Sequence, residues 1–426
     1  MRKPLLLLAF PALLAPGFQP PSGAQDAPPR ALSAQEVYAQ ESYTLDHLLR
    51  IGRERNPNLL SLRAEQNALV AGRRDAGRFQ NPELEYEAGE GDPFDSSETK
   101  SVRGFSVRQA IENPLARHYR LGALKFEVEA AEEEVRLGTV AVDREVRLHF
   151  YRILYLRELV TLARLNEETL AEVSELIETR ARAGEVRDLE AIRLRVEHMR
   201  AQNEVQAAEL ELAQFRHHLN MFLGNVLAGT YVLVGELSAD LMVPDLAQLE
   251  EEFLPRHPLL QQAARRREAA GQQLKASQVG WFPNPVVSAT SGRELDGDIF
   301  KLGIGFEIPL WDQSRAATQR DLHTLRQLEH HEEGLRLELQ AELMIHHNHL
   351  LLHQQTLQLF QDGLLGEAEA SMEIAETSYR EGEVSFVEYL DALRSYQSIQ
   401  IEFQQALYDL NRELAELDRA AGGGIL

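Results

Sequence analysis

Residues 300–308 read Phe-Lys-Leu-Gly-Ile-Gly-Phe-Glu-Ile, in which large apolar residues alternate strictly with polar or small ones. Successive side chains of a β-strand point to opposite faces, so this period of two predicts a strand with one apolar face. Such a strand suits either the wall of a transmembrane barrel or a half-buried position in a soluble sheet. The surrounding sequence has to distinguish these two environments.

The N-terminal residues have the layout of a secretory signal peptide. Arg2 and Lys3 precede an apolar core, and small residues follow as far as Ala24. A flexible tail is the alternative, but this order of basic, apolar and small residues favours a signal peptide over residues 1–24. No later run approaches the roughly 20 apolar residues of a membrane-spanning helix. We therefore expect an exported chain without a transmembrane helix, beginning with a flexible segment over residues 25–42.

A five-residue phrase, Arg182-Ala-Gly-Glu-Val186, recurs 198 residues later as Arg380-Glu-Gly-Glu-Val384. Each copy separates a long helical run from a shorter one, and a glycine there ends a helix at little cost. The sequence therefore predicts one unit of about 200 residues that is used twice. The predicted segments are the first repeat (43–222), a connector (223–245), the second repeat (246–420) and a tail (421–426).

Each repeat also contains two stretches with strand character, which gives four strands per chain. The predicted strands cover residues 83–89, 102–109, 286–291 and 299–308. The long runs between them are helical in pattern, so the predicted fold class is mainly α with a small β part and internally duplicated long-helix hairpins. In an exported chain that is otherwise helical, nothing else could cover the apolar side chains of the last strand. We therefore predict that they face lipid: Phe300, Leu302, Ile304, Phe306 and Ile308.

Four strands are too few to form a closed barrel, because known transmembrane barrels begin at about eight. An open sheet edge in lipid would leave backbone groups without hydrogen-bond partners, so the chain is expected to oligomerise. A dimer would supply eight strands around a filled interior, whereas a trimer would supply twelve and leave room for a passage. The trimer is favoured. Glu83, Glu85 and Glu87 alternate with apolar residues in the first strand, so we expect them on the lumen side.

Composition excludes several functions. The formal net charge of -23 argues against a nucleic-acid partner. The absence of cysteine excludes disulfides and thiolate metal sites. The sequence contains no Gly-x-Ser-x-Gly, phosphate-binding glycine loop or His-Glu-x-x-His motif. We therefore expect neither an enzyme nor a bound cofactor.

Seven of the fourteen histidines lie between His323 and His353. His346, His349 and His353 could share one helix face, and neutral imidazole is a common ligand of zinc, copper and nickel. No neighbouring carboxylate completes an obvious ligand set. Histidines on the polar face of a long helix are therefore favoured over a metal site.

The order of short helix, strand pair, long helix, glycine turn and short helix, present twice, resembles the TolC-like outer membrane efflux proteins. The resemblance extends from about Tyr43 to Ala420. The most specific segments are residues 81–85 (Asn-Pro-Glu-Leu-Glu), 184–190, 306–311 and 382–391. The compact length and the Asn-Pro-Glu-Leu segment are most similar to the heavy-metal (CzcC-like) branch. This resemblance implies a homotrimer whose twelve-stranded outer membrane β-barrel continues into a periplasmic α-barrel.

The resemblance also implies a function as the exit duct of a tripartite efflux system. Such a duct docks a periplasmic adaptor and an inner-membrane pump of the RND type, and would export metal cations or small toxic compounds. Two other functions stay open. The same fold could serve type I protein secretion with an ABC-type pump, or the chain could be a periplasmic coiled-coil scaffold without a pore.

In the family that this chain resembles, the two glycine turns carry the adaptor contacts, and acidic residues after them narrow the entrance. The implied adaptor-docking residues are Arg182, Gly184, Glu185, Val186, Arg380, Gly382, Glu383 and Val384. The implied entrance residues are Glu388, Asp391 and, in the first repeat, Glu190. Glu388 and Asp391 are three residues apart and share a helix face, so a trimer would form carboxylate rings that attract cations.

Overall fold

The computed structural model describes residues 41–91, 99–184, 187–295, 297–306, 308, 310–311 and 313–426. These residues belong to one compact unit, Glu41–Leu426. The predicted signal peptide and residues 25–40 of the predicted flexible segment lie outside the described residues. Among the helices of the described part, none combines the length and the hydropathy needed to cross a bilayer.

The first repeat begins with two short helices, α1 (Leu45–Arg55) and α2 (Pro57–Ala76). Asn56 separates them, and its side chain accepts hydrogen bonds from the backbone N–H groups of Asn58 and Leu59, as an N-cap does. The long helix α3 (Pro114–Arg182) has 69 residues, which corresponds to about 100 Å at 1.5 Å per residue. Helix α4 (Asp188–Phe222) completes the repeat.

The helices of the second repeat are interrupted in two places. The segment before the strands is divided into α5 (Leu246–Glu252), a 3₁₀ turn (Leu254–Arg256) and α6 (Pro258–Val279). The break has a local cause, because Pro258 cannot donate a backbone hydrogen bond and His257 caps the new helix.

The second long helix is also interrupted. It consists of α7 (Arg315–Leu359), a π-helical turn (Phe360–Leu364) and α8 (Leu365–Glu381). Gly363 has a φ of 152° within that turn, a backbone conformation that L side chains rarely adopt. Helix α9 (Phe386–Ala420) follows.

Four strands form one antiparallel sheet in the order β2-β3-β5-β6. They are β2 (Glu83–Gly91), β3 (Lys100–Ala110), β5 (Pro285–Glu294) and β6 (Gly297–Phe306). The central pair, β3 with β5, joins the two repeats. This architecture confirms the predicted fold class, although β6 ends before Ile308.

A second, two-stranded sheet pairs β1 (Glu41–Tyr43) in parallel with β4 (Tyr231–Leu233). Residues 41 and 42, which the sequence analysis assigned to a flexible segment, are therefore part of a strand. Its pairing partner lies in the connector almost 200 residues away, so the local composition of this segment gives no sign of it.

Helix α3 packs against α2, α4, α6 and α9, and α7 packs against α6 and α9. A Cβ built on Gly138 of α3 would lie 2.5 Å from Leu62 Cδ1, so the glycine permits the close approach of α2. A buried ion pair between Arg147 Nη1 and Asp418 Oδ2, at 2.9 Å, ties α3 to α9. The two repeats therefore share one helical body.

Candidate functional site

The apolar side chains of β6 are not covered by any other part of the described chain. Phe300, Leu302, Ile304 and Phe306 are between 63% and 77% exposed, and Ile308 beyond the strand is 68% exposed. A half-buried strand of a soluble sheet would have these side chains inside the core. The structure leaves them on a free surface instead.

The same face continues across the other three strands. The register places Leu302 opposite Ala289 and Ile304 opposite Val287. At the other edge of the sheet and on the same face, Tyr86 of β2 lies opposite Phe105 of β3, with ring centroids 4.6 Å apart. Leu84, Tyr86, Phe105, Val107 and Val287 are also exposed. One face of the whole sheet is therefore apolar and uncovered.

The opposite face of the sheet is polar. Glu85 lies opposite Ser106, which lies opposite Thr290, which in turn lies opposite Lys301. Glu83 and Glu87 share the side of Glu85, since strand residues two apart point the same way. The structure thus brings the three predicted lumen-side carboxylates together on the polar face.

The dimensions of the sheet fit a membrane. The four strands have 9, 11, 10 and 10 residues, and a tilted transmembrane strand needs about 9–11. Near the hairpin ends, the apolar face gives way to a charged pair, Arg293 with Asp298 at 2.8 Å. Charged residues at that edge would mark the border between lipid and water.

At the far ends of the long helices, both glycine turns have the left-handed backbone that their sequence predicts. The φ of Gly184 is 77° and that of Gly382 is 80°. In the second turn, the N–H of Glu383 donates to Ser378 O at 2.8 Å, which satisfies a helix-end carbonyl. Arg182 and Arg380 are exposed beside the turns. Glu185 and Val186 lie outside the described residues.

The two turns belong to helix hairpins that pack on each other through a buried group of side chains, here named the tip cluster. It joins α3 and α4 to α8 and α9. Its buried members are Leu170, Ile177, Ala191, Leu194, Ala201, Met372, Phe386, Tyr389, Leu390 and Leu393. The hairpin tips are therefore held beside each other within a single chain.

The structure assigns Glu388 a structural task. Its carboxylate accepts the backbone N–H of Ser385 at 2.7 Å, and Ser385 Oγ accepts the N–H of Glu388, which together form a capping box. The hydrogen bond from the Ser385 backbone, followed by that from its side chain, lowers the pKa of Glu388. This carboxylate is therefore ionised, and it is already hydrogen-bonded to the start of its own helix.

The two other predicted entrance acids lie beside arginines. Glu190 Oε1 is 2.9 Å from Arg187 Nη2. Asp391 Oδ1 is 3.9 Å from Arg394 Nη1, and Arg394 also contacts Glu197 of α4 at 2.8 Å. Sequence reasoning missed both arginines, although each stands three residues from its acid, a spacing that makes them helix neighbours. The surface around the predicted entrance residues therefore carries both acidic and basic side chains.

Of the three histidines considered for metal binding, the structure brings two together. His346 and His349 converge on Glu413 of α9, and one ligand atom from each of the three lies within 4.8 Å of the others. His353 is not part of this group. Glu413 could not be foreseen from the sequence pattern, because it reaches the histidines only through the packing of α9 on α7.

Comparison with known sequences bears on this geometry. The profile of the family described as outer membrane efflux protein matches residues 249–423. The cobalt-zinc-cadmium resistance protein CzcC of Cupriavidus metallidurans is 22% identical over 424 residues, which cover 97% of this chain and 99% of that protein. Over residues 249–423 the chain is similar to the outer membrane efflux protein family. The resemblance noted in the sequence is thereby confirmed.

Two solved channel structures share the fold of this chain. The outer membrane channel OprN superimposes with a TM-score of 0.77 at 20% identity, covering 89% of this chain and 90% of that one. The channel CusC gives a TM-score of 0.78 at 16% identity, covering 96% and 100%. The description of the matching family names the outer membrane, in agreement with the predicted location. The family is one of efflux proteins, not enzymes.

Proposed function

We propose that three copies of this chain close one twelve-stranded barrel and serve as the exit duct of a tripartite efflux system. The single observation that carries this proposal is the uncovered apolar face of a four-stranded sheet. Edge strands β2 and β6 each have one neighbour within the described sheet. Such edges are tolerated in lipid only if another copy pairs with them.

The polar face favours three copies over two. An eight-stranded barrel has an interior that side chains fill. Two copies would then place six carboxylates, from Glu83, Glu85 and Glu87, in a space with little water. Removing carboxylates from water costs several kcal/mol each even where a positive group is near, as Arg108 is to Glu83 at 3.6 Å. A twelve-stranded barrel leaves a hydrated lumen for them. A wider passage also suits an export function.

The helical hairpins would form the periplasmic part of the duct. A helix of about 100 Å extends far beyond the thickness of a bilayer. The exposed turns at its far end suit contact with a periplasmic adaptor. The proposed adaptor-docking residues are Arg182, Gly184, Glu185, Val186, Arg380, Gly382, Glu383 and Val384. The adaptor would couple the duct to an inner-membrane pump of the RND type.

The proposed cargo is metal cations, and small toxic compounds are the alternative cargo. The support is the near full-length match to a relative whose name describes cobalt, zinc and cadmium resistance. In a strain lacking this gene, we expect lower tolerance of these metals, restored by the wild-type chain. Hypersensitivity to organic compounds alone would contradict the metal cargo. Loss of a secreted protein with normal tolerance would favour type I secretion.

A matched pair of lysine substitutions tests the barrel. Leu302→Lys places a charge on the apolar face, which costs about 2–4 kcal/mol near the bilayer midplane. Ser106→Lys adds the same charge on the polar face, opposite Glu85. We expect Leu302→Lys to abolish recovery of the oligomer from outer membranes and Ser106→Lys to preserve it. Equal behaviour of the two variants, or a soluble monomer in the wild type, would exclude a membrane barrel.

The number of copies can be counted by cross-linking. Because the chain has no cysteine, no native thiol can form disulfides with engineered thiols on the two edge strands. Glu85→Cys in β2 would be combined in turn with Lys301→Cys, Gly303→Cys or Gly305→Cys in β6. On denaturing gels, we expect cross-linked species of two and three chains and none larger. A largest species of two chains, or any species larger than three, would contradict the trimer.

We also propose that Asp391, with Glu190 and Glu388, forms the periplasmic entrance. Since Glu388 also caps α9, Asp391→Asn is the cleaner probe of the ring. In planar bilayer recordings, this variant should reduce block by multivalent cations, and Asp362→Asn, on the exposed π turn, should not. An unchanged block in Asp391→Asn would remove that residue from the entrance.

A further inference from the structure

Two helices contribute nitrogen and oxygen ligands to one point on the helical body. His346 and His349 stand one turn apart on α7, and Glu413 projects from α9. His346 Nδ1 lies 2.7 Å from Glu413 Oε1, and His349 Nδ1 lies 3.4 Å from the same oxygen. The two imidazole rings are nearly perpendicular, with centroids 6.4 Å apart. Both ring nitrogens thus converge on one carboxylate oxygen.

The burial of the three side chains is graded. The side chain of Glu413 is 5% exposed, that of His346 is 19% exposed and that of His349 is 55% exposed. A carboxylate this deeply buried needs a positive or hydrogen-bonding partner to remain ionised. The cluster therefore has a fixed inner oxygen and an outer nitrogen that solvent can reach.

The electrostatic setting keeps Glu413 anionic. Burial raises its pKa, but the hydrogen bond from His346 and the charges of His346, His349 and Arg412 outweigh burial, so the pKa lies below its ordinary value. Metal ions bind the deprotonated form of a carboxylate and the neutral form of imidazole.

We propose that His346, His349 and Glu413 bind one divalent cation of the zinc class, with water completing the coordination. Tetrahedral zinc with ligand distances of about 2.0–2.1 Å separates neighbouring ligand atoms by about 3.3 Å. The nitrogen-to-oxygen separations are 2.7 Å and 3.4 Å, and all three ligand atoms lie within 4.8 Å of one another, so side-chain rotation can bring them to this spacing. Imidazole and carboxylate donors favour Zn²⁺, Ni²⁺, Co²⁺ or Cu²⁺ over the softer Cu⁺, which prefers thiolate and thioether ligands.

The site would connect two helices that already share a core. Leu343 and Leu350 of α7 pack in the same buried cluster as Leu410 and Leu414 of α9. A bound ion would therefore add a link between α7 and α9 and stabilise the folded body by an amount that rises with the logarithm of the ion concentration above Kd. The alternative is a hydrogen-bonded cluster in which the histidines serve only to satisfy the buried Glu413.

Direct titration distinguishes these two possibilities. The full-length protein would be purified in detergent without a polyhistidine tag, stripped with a chelator, and titrated with Zn²⁺ against a chromophoric competitor. We expect one high-affinity equivalent per chain. Co²⁺ should give a d–d absorption band of the intensity typical of four-coordinate sites. His349→Ala should weaken zinc binding at least about tenfold, and it removes an exposed side chain, so the fold should persist.

The matched variants separate this site from a general histidine effect. His353→Ala, in the same helix, should leave zinc binding unchanged. Glu413→Gln should weaken it at least about tenfold while keeping the shape of the side chain. No zinc equivalent in the wild type, the same affinity in His349→Ala, or equal losses in His353→Ala and His349→Ala would each overturn the proposal. The site does not depend on the proposed channel function, because binding is measured without transport.

Discussion

The two hairpin tips have the same backbone turn, but different side chains stabilise them. Gly184 and Gly382 have nearly the same φ, 77° and 80°. In the second tip, Ser385 caps the following helix through a capping box. In the first tip, Arg187 occupies the equivalent position, and the described chain shows no side-chain cap there. The duplication has preserved the backbone turn but not the side chains that hold it.

Aromatic packing shows the same contrast. In the second tip, Tyr379 stacks on Tyr389 with centroids 5.2 Å apart, and Phe386 lies beside them. The residues 198 positions earlier are Ala181, Ala191 and Asp188. Small residues and a charge cannot supply that buried area. We therefore expect the first tip to open more readily than the second.

Removal of the aromatic contact should have the largest effect on this contrast. Tyr389 is 2% exposed, and truncation of a buried aromatic costs about 3 kcal/mol or more. Tyr389→Ala should therefore lower the free energy of local opening at the start of α9 by about that amount. Native-state hydrogen exchange of the purified oligomer measures this opening.

The control for this variant is Val387→Ala, which truncates a half-exposed side chain in the same turn. Its effect should stay below about 0.5 kcal/mol. Equal exchange in the two variants would show that the aromatic packing does not secure the second tip.

The second largest effect concerns the break in the short helix of the first repeat. Asn56 accepts two backbone N–H groups and donates to Phe222 O at 2.9 Å. Asn56→Ala removes the cap and leaves a buried carbonyl without its donor, which together cost about 2–3 kcal/mol. Chemical denaturation of the purified protein should show this loss. Asn58→Ala, which changes an exposed side chain beside the cap, should cost less than about 0.5 kcal/mol.

Reciprocal substitutions at the two caps should make the local stabilities of the two tips more alike. Ser385→Ala should weaken the second tip by about 1 kcal/mol. Arg187→Ser should strengthen the first by about 0.5–1 kcal/mol, because Glu190 then stands at the position that completes a capping box. The lost Arg187–Glu190 pair contributes little, because the arginine side chain is 83% exposed. Hydrogen exchange at both turns measures the changes, and a shift of the same sign in both variants would refute the reasoning.

The smallest effect is a pH dependence confined to the second repeat. Burial, the leading cause, lowers the pKa of His257 below its ordinary value of 6.5, although Glu342 and the backbone of Arg419 act against it. The folded state therefore disfavours the protonated ring. Its contribution to stability is complete above pH ~6.5 and falls as the pH drops toward the lower folded pKa.

His257→Asn should keep the helix cap, as Asn56 does in the first repeat, and remove this acid sensitivity. The measurement is the difference in unfolding free energy between wild type and variant from pH 7.5 to pH 5. A difference that does not change with pH would show that His257 carries no titration linked to folding.

Much of this protein was determined by its sequence alone. The period-two stretch at residues 300–308 specifies a strand with one apolar face, because strand side chains alternate whatever surrounds them. Glycines at 184 and 382 specify left-handed turns, because other residues resist that conformation. The break before α6 also has a local cause, because Pro258 cannot donate a backbone hydrogen bond.

Only the tertiary structure decided which distant groups meet. It left the β6 side chains uncovered and brought Glu413 to His346 across the α7–α9 interface. Period and turn chemistry act over a few residues, so the sequence displays them directly. Contacts between helices depend on how buried faces pack over long separations, and no local pattern encodes the partner of a particular side chain.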